Sequence, residues 1–85
     1  MVYNNLMPYM VYIMRCRDGS LYTGITTDLK RRFLDHKNGK GGGYTRAHAV
    51  VKVVYTERFP TRSAALKREA EIKGWRRENK LDLIK

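Results

Sequence analysis

The side chains that could do chemistry begin with two phenols. Tyr12 and Tyr22 lie on either side of the dipeptide Asp18-Gly19, and Gly24 follows the second by two positions. A tyrosine in a strand is usually a good strand former with its hydroxyl at the rim. Two tyrosines near the middle of paired strands, beside a glycine that admits close approach, form a candidate binding point. Arg32 and His36 are four residues apart, so on a helix they share one stripe. Such a pair either belongs to a solvated face or grips a phosphate with the guanidinium while the imidazole stands beside it. Glu69 follows Ala65 by four and Leu66 by three, and precedes Ile72 by three. Those positions define the stripe of a helix expected to face a core. A lone carboxylate there is costly to bury, so Glu69 needs a partner. Lys73, one turn on, could supply it as an ion pair at the core edge; a metal ion in a basic pocket is the other solution. Periodicity leaves both open. Glu71, near Lys67 and Arg68, reads as an ordinary surface charge.

The elements that must position these groups can be read from the pattern around them. Residues 9–17 are rich in Tyr, Val and Ile and predict a strand, Asp18-Gly19 a tight turn, and residues 20–25 a returning strand. Alternation places Met10, Tyr12 and Met14 on one face and Val11 and Ile13 on the other. Both faces are largely apolar, which predicts a strand that is central or covered on both sides. Asp28 is a suitable N-cap for a helix over 29–38 with Leu29 and Phe33 inward and Lys30 and Arg31 free for solvent or phosphate. The run Gly39-Lys40-Gly41-Gly42-Gly43 ends that helix and opens a mobile loop that continues through Tyr44, Thr45, Arg46, Ala47 and His48. It lacks the spacing of a nucleotide P-loop, since Lys40 precedes the three glycines. It is either a connector or a flap over a phosphate backbone, with Lys40, Tyr44, Thr45 and Arg46 as the contacts. Residues 49–59 predict a third strand, Thr61 caps a helix over 62–74, and residues 76–84 a last helix with Leu81 and Ile84 packing back on the core. The expected architecture is α+β, a small three-stranded antiparallel sheet flanked by helices in the order β-β-α-β-α-α.

Composition bounds the partners. The chain has 85 residues, 42% of them hydrophobic, which fits one folded domain over 9–85 after a tail over 1–8. It carries 18 Lys+Arg against 8 Asp+Glu, a formal net charge of +10. Self-repulsion of that size opposes compaction, so a polyanionic partner is the economical explanation. Nucleic acid ranks first, because cations gain affinity by releasing counterions from phosphates. Cys16 is the single cysteine, which excludes an internal disulfide and a multi-thiolate metal site and fits a reducing cytoplasm. The apolar run before Arg15 is too short for a membrane span and lacks signal-peptide flanks. The final helix, with Trp75, Leu81, Leu83 and Ile84 among cations, is a poor membrane binder.

In this order the motifs resemble the GIY-YIG nuclease superfamily, most closely its small single-domain bacterial group. Met10-Val11-Tyr12 stands where the family has Gly-Ile-Tyr, and Tyr22-Thr23-Gly24 where it has Tyr-Ile-Gly. Arg31-Arg32-Phe33-Leu34-Asp35-His36 matches its first-helix segment, the glycine loop with Tyr44-Thr45 matches that group, and Glu69 falls on its metal-binding glutamate. The resemblance covers residues 9–85. It implies a one-metal endonuclease acting on DNA. One Mg2+ or Mn2+ ion would sit on Glu69, with Tyr12 as general base or orienter of the attacking water. Tyr22 would hydrogen-bond in the same cluster, Arg32 would stabilise the transition state, His36 would assist, and Gly24 would keep the floor open. Lys30, Arg31, Lys40, Tyr44, Thr45, Arg46 and Lys73 would hold the nucleic acid. Met10 departs from the signature glycine, and Asn79 does not clearly match the late asparagine of catalytic members. With no separate DNA-reading domain, specificity is expected from substrate shape, branched or single-stranded DNA, or from a protein partner, and the chain is expected to be a monomer. A module that binds nucleic acid without cutting it is the alternative.

Overall fold

A computed structural model describes residues 6–85. The elements run β1 (Tyr9–Cys16), β2 (Leu21–Thr26), α1 (Leu29–Lys37), α2 (Gly43–Ala47), β3 (Val50–Phe59), α3 (Arg62–Lys73) and α4 (Arg77–Ile84). Positions 1–5 of the expected tail lie outside the described residues. Leu6 and Met7 are exposed, and Arg58 Nη1 donates to the Met7 carbonyl at 3.3 Å.

The sheet is antiparallel with strand order β2-β1-β3, so the strand apolar on both faces is also the central one. Its turn is held by Gly19 at φ 87 and by Asp18 Oδ1, which accepts from the backbone N–H and the hydroxyl of Ser20. One face of β1 presents Val11 and Ile13 to Ala65 and Ile72 of α3, with Trp75, Leu83 and Ile84 closing the layer. The other presents Tyr12, Met14 and Cys16 to Leu29 and Phe33 of α1, with Val50 and Val53 from β3. Each fully buried aliphatic side chain contributes about 1.5–3 kcal/mol relative to exposure. The helices therefore sandwich the sheet, α3 and α4 on one side and α1 on the other.

Four local features differ from what the pattern predicts. The segment read as loop at 39–48 contains the five-residue helix α2. Strand β3 carries two irregularities, where Tyr55 and Val53 oppose consecutive residues Ile13 and Met14, and Lys52 and Val50 oppose Arg15 and Cys16. The extra residue lets Val54 and Tyr55 both pack on the α3 side while Val53 packs on the α1 side. Leu66, placed on the core stripe by spacing, is 37% exposed, because α3 buries the narrower line Ala65–Ile72. Leu81 is likewise exposed, and Leu83 joins Ile84 against the core. Among the described residues no helix is long and apolar enough to cross a membrane.

Candidate active site

The site grows from one pairing on the sheet. Tyr12 stands opposite Gly24, and its phenol lies across that glycine so closely that a methyl group there would collide with the ring and its hydroxyl. Gly24 is thus required by a close approach rather than by a turn. Tyr12 is 2% exposed. Its hydroxyl meets Nε2 of His36 at 2.9 Å. His36 sits in the last turn of α1, 1% exposed, and its Nδ1 meets the Thr45 hydroxyl at 2.7 Å. The Thr45 hydroxyl in turn donates to the Gly42 carbonyl at 3.5 Å. In the tautomer where Thr45 gives its proton to that carbonyl, it accepts from His36 Nδ1–H, Nε2 carries the lone pair, and Tyr12 donates to it.

The electrostatics agree with a neutral imidazole. Burial lowers the His36 pKa below its ordinary value of 6.5, the Arg32 guanidinium pushes the same way, and Asp35 opposes. Burial raises the Tyr12 phenol well above its usual range; Tyr22 and Glu69 raise it further, and Arg32 alone opposes. The phenol is therefore protonated at neutral pH. Glu69 acts on it although α3 covers the opposite face of the sheet, because the sheet ends at β2, the strand across which Tyr12 leans.

Tyr22 stands in front of this buried pair. It is half-buried, its ring 6.3 Å from that of Tyr12 and 4.8 Å edge-on from His36. Tyr44 stacks on Tyr22 at 5.8 Å, and His48 on Tyr44 at 4.2 Å. Nδ1 of His48 meets Oδ2 of Asp18 at 2.7 Å, which ties α2 to the hairpin turn. The glycine run has a packing reason at one position: a methyl group at Gly41 would collide with the His36 ring.

The remaining candidates divide. Arg32 is half-buried beside Tyr12 and His36, and Lys30, Arg31, Lys40, Tyr44 and Arg46 are exposed. Thr45, expected at a nucleic-acid surface, is instead 2% exposed and turned inward to His36. Lys73 lies 3.3 Å from Glu69, whose side chain is 16% exposed. Sequence reasoning missed the inward role of Thr45, the close packing of Gly41 and the nearness of Arg62 to Arg32 around one pocket. Only the contact across the glycine loop reveals the first two. The donor set suits one kind of metal. Among the described residues no three of His, Cys, Asp and Glu gather, so Glu69 offers a single carboxylate. That suits a hydrated Mg2+-type cation that keeps waters and takes substrate oxygens.

The sequence and fold match known proteins throughout. The GIY-YIG catalytic domain family matches residues 8–82. The UPF0213 protein of Staphylococcus saprophyticus is 50% identical over 76 residues, 89% of this chain and 93% of that one. That of Haloquadratum walsbyi is 53% identical over 75 residues, 88% of this chain and 84% of its own. The solution structure of the UPF0213 protein from Bacillus halodurans superposes with a TM-score of 0.58 at 43% identity, covering 89% of this chain and 81% of that chain. A solution structure from E. faecalis gives 0.60 at 40% identity, covering 92% and 83%. The matched region contains every element that contributes a side chain to the Tyr12 cluster, and on that ground the chain belongs to the GIY-YIG family of the nuclease superfamily.

Proposed function

We propose that the chain is a divalent-cation-dependent endonuclease that hydrolyses phosphodiester bonds in DNA. The observation that carries this reading is the buried Tyr12–His36 hydrogen bond of 2.9 Å, with the charges of Arg32 and Glu69 both acting on the same phenol. Neutral Tyr12 gives its proton to His36 Nε2 as its oxygen takes one from the attacking water. The water oxygen bonds to phosphorus, the bond from phosphorus to the leaving oxygen breaks with its electron pair passing to that oxygen, which takes a proton from solvent, and His36 gives its extra proton back to solvent. Arg32 stabilises the charge that develops on the phosphoryl oxygens, where a fixed cation is worth most in a water-poor site. Tyr22, at the opening, hydrogen-bonds the water or a phosphate oxygen. Glu69 would hold Mg2+ or Mn2+, which when bound neutralises phosphate charge. Lys30, Arg31, Lys40, Tyr44 and Arg46 contact the strand, and branched or single-stranded DNA is the substrate shape we favour.

Two observations favour a second reading, a module that binds nucleic acid without cutting it. Lys73 occupies Glu69, and Tyr12 is almost wholly buried. One experiment separates them. Labelled branched, single-stranded and duplex DNA are incubated with the protein, with and without Mg2+ or Mn2+, beside Glu69→Gln and Tyr12→Phe. Metal-dependent cutting that both substitutions abolish, with DNA binding intact, supports the nuclease. Binding without cleavage in every lane supports the module.

A further inference from the structure

We infer that a second phosphate-binding pocket adjoins the Tyr12 cluster, between Arg32 and Arg62, and holds a phosphate flanking the one that reacts. The pocket has a volume of about 250 Å3 and is lined by Tyr9, Ile25, Thr26, Thr27, Arg32 and Arg62. No carboxylate lines it. Among the described residues neither guanidinium lies within ion-pair distance of an acidic group. Two cations facing one pocket without a counterion repel each other, and an anion between them removes that cost. A neighbouring pocket makes the contrast. It shares Thr26, Thr27 and Arg32 and adds Arg31, but also Asp28 and Asp35, whose charges offset its two cations and disfavour phosphate. The Thr26 hydroxyl is already committed to the backbone of Asp28, at 3.0 and 3.2 Å, so the arginines are left to supply the recognition. A guanidinium suits this task because its fork of donors matches two phosphate oxygens at once.

The pocket's place gives it a role. Arg32 forms one wall and also acts on Tyr12 and His36. Arg62 opens α3, and Glu69 follows it by seven residues on the stripe of Ala65 and Ile72, about 10 Å along the axis. A strand whose reacting phosphodiester lies at Tyr12 would therefore pass a neighbouring phosphate to Arg62. The inference rests on the proposed function for its ligand, and it makes Arg62 a substrate-binding residue rather than a catalytic one.

The test uses binding without divalent cation, so that it does not depend on hydrolysis. Affinity for a short single-stranded DNA is measured across a salt series for the unsubstituted protein, Arg62→Gln, Arg62→Lys and the charge-matched control Lys85→Gln, with circular dichroism as the check on folding. Arg62→Gln is expected to bind about tenfold more weakly, with a salt slope shallower by about one contact. Arg62→Lys, which keeps the charge but not the fork, should recover the salt slope and only part of the affinity, and the control should stay within about twofold, as expected for a rim charge. Replacing single phosphates by uncharged methylphosphonates should weaken the unsubstituted protein at one position flanking the cut and leave Arg62→Gln unaffected there. Equal affinities for Arg62→Gln and Lys85→Gln would overturn the pocket alone. No DNA binding by the unsubstituted protein would overturn the pocket and the proposed function together.

Discussion

Burial decides what Tyr12 can do. A phenol this enclosed does not ionise at neutral pH, so in the proposed reaction it would pass its proton to His36 as it accepts another. The direction of that hydrogen bond depends on Thr45, which in the tautomer that lets Tyr12 donate accepts the proton of His36 Nδ1. Thr45→Val keeps the shape and removes the acceptor. It should cost about 1–3 kcal/mol of stability in urea denaturation, the usual effect of a buried donor left unpaired. It should also lower cleavage at least tenfold, with Thr45→Ser restoring both; full activity in Thr45→Val would show that the tautomer is unimportant. The depressed His36 pKa also makes stability depend on pH. The native state binds the proton less readily than the unfolded chain, so this contribution is complete above about 6.5 and is lost as pH falls through the lower folded value. Urea midpoints between pH 7.5 and 5 should therefore fall, and His36→Asn should flatten that part of the curve. At this scale the sequence named Tyr12, Tyr22, Arg32, His36, Glu69 and Gly24 from strand pairing, helix spacing and resemblance. It could not show that Thr45 faces inward, because the contact to His36 crosses nine residues and a glycine loop that local pattern does not constrain.

Elements hold these groups through a few specific junctions. The α1–α2 junction is one: Gly41 lies against the His36 ring, so the chain between α1 and α2 serves as packing rather than as a free flap. Gly41→Ala should displace the imidazole and remove its bond to Tyr12, observable as a histidine resonance shifted toward solvent values. The junction of β3, α3 and α4 is another. Arg68 donates to Glu57 on β3 at 2.8 Å and to Glu71 on α3, and lies over the Trp75 ring at 5.2 Å. Arg68 thus joins α3 to β3 and to the connector before α4. Arg68→Ala should destabilise by about 1–3 kcal/mol, since it leaves Glu57 half-buried without its partner. An unchanged urea midpoint would reduce the junction to a surface decoration. The fold itself was largely legible, because a strand apolar on both faces must be covered on both sides and Asp18-Gly19 must turn. The irregular pairings of β3 were not legible, because a run such as Val50-Val51-Lys52-Val53-Val54-Tyr55 alternates weakly and accepts an extra residue without a sequence signal. Nor was α2, since five residues beginning at the last of three glycines carry no helical period.

At the scale of the whole molecule, the charge has to be explained by a surface. The domain measures 35 × 28 × 21 Å and carries a formal charge of +10, a density that favours binding a polyanion over remaining free of one. Lys30 and Arg31 on α1, Lys40 in the glycine loop and Arg46 on α2 belong to the layer that holds His36, and Arg62 extends the cationic set to the start of α3. If these five groups each meet one phosphate, the logarithm of the binding constant should fall with that of salt at a slope of about −4.5 on duplex DNA and about −3.5 on a single strand. Raising salt from about 50 to about 200 mM would then weaken duplex binding roughly 500-fold and single-strand binding roughly 130-fold. A fluorescence anisotropy titration at several salt concentrations measures both slopes on one protein preparation. Neutralising two cations of the set together, for example Lys30→Gln with Arg46→Gln, should reduce each slope by close to two contacts while leaving thermal stability nearly unchanged. A slope near zero in the unsubstituted protein would mean that the positive charge serves something other than phosphate, and the cationic face would no longer explain where a strand reaches the Tyr12 cluster.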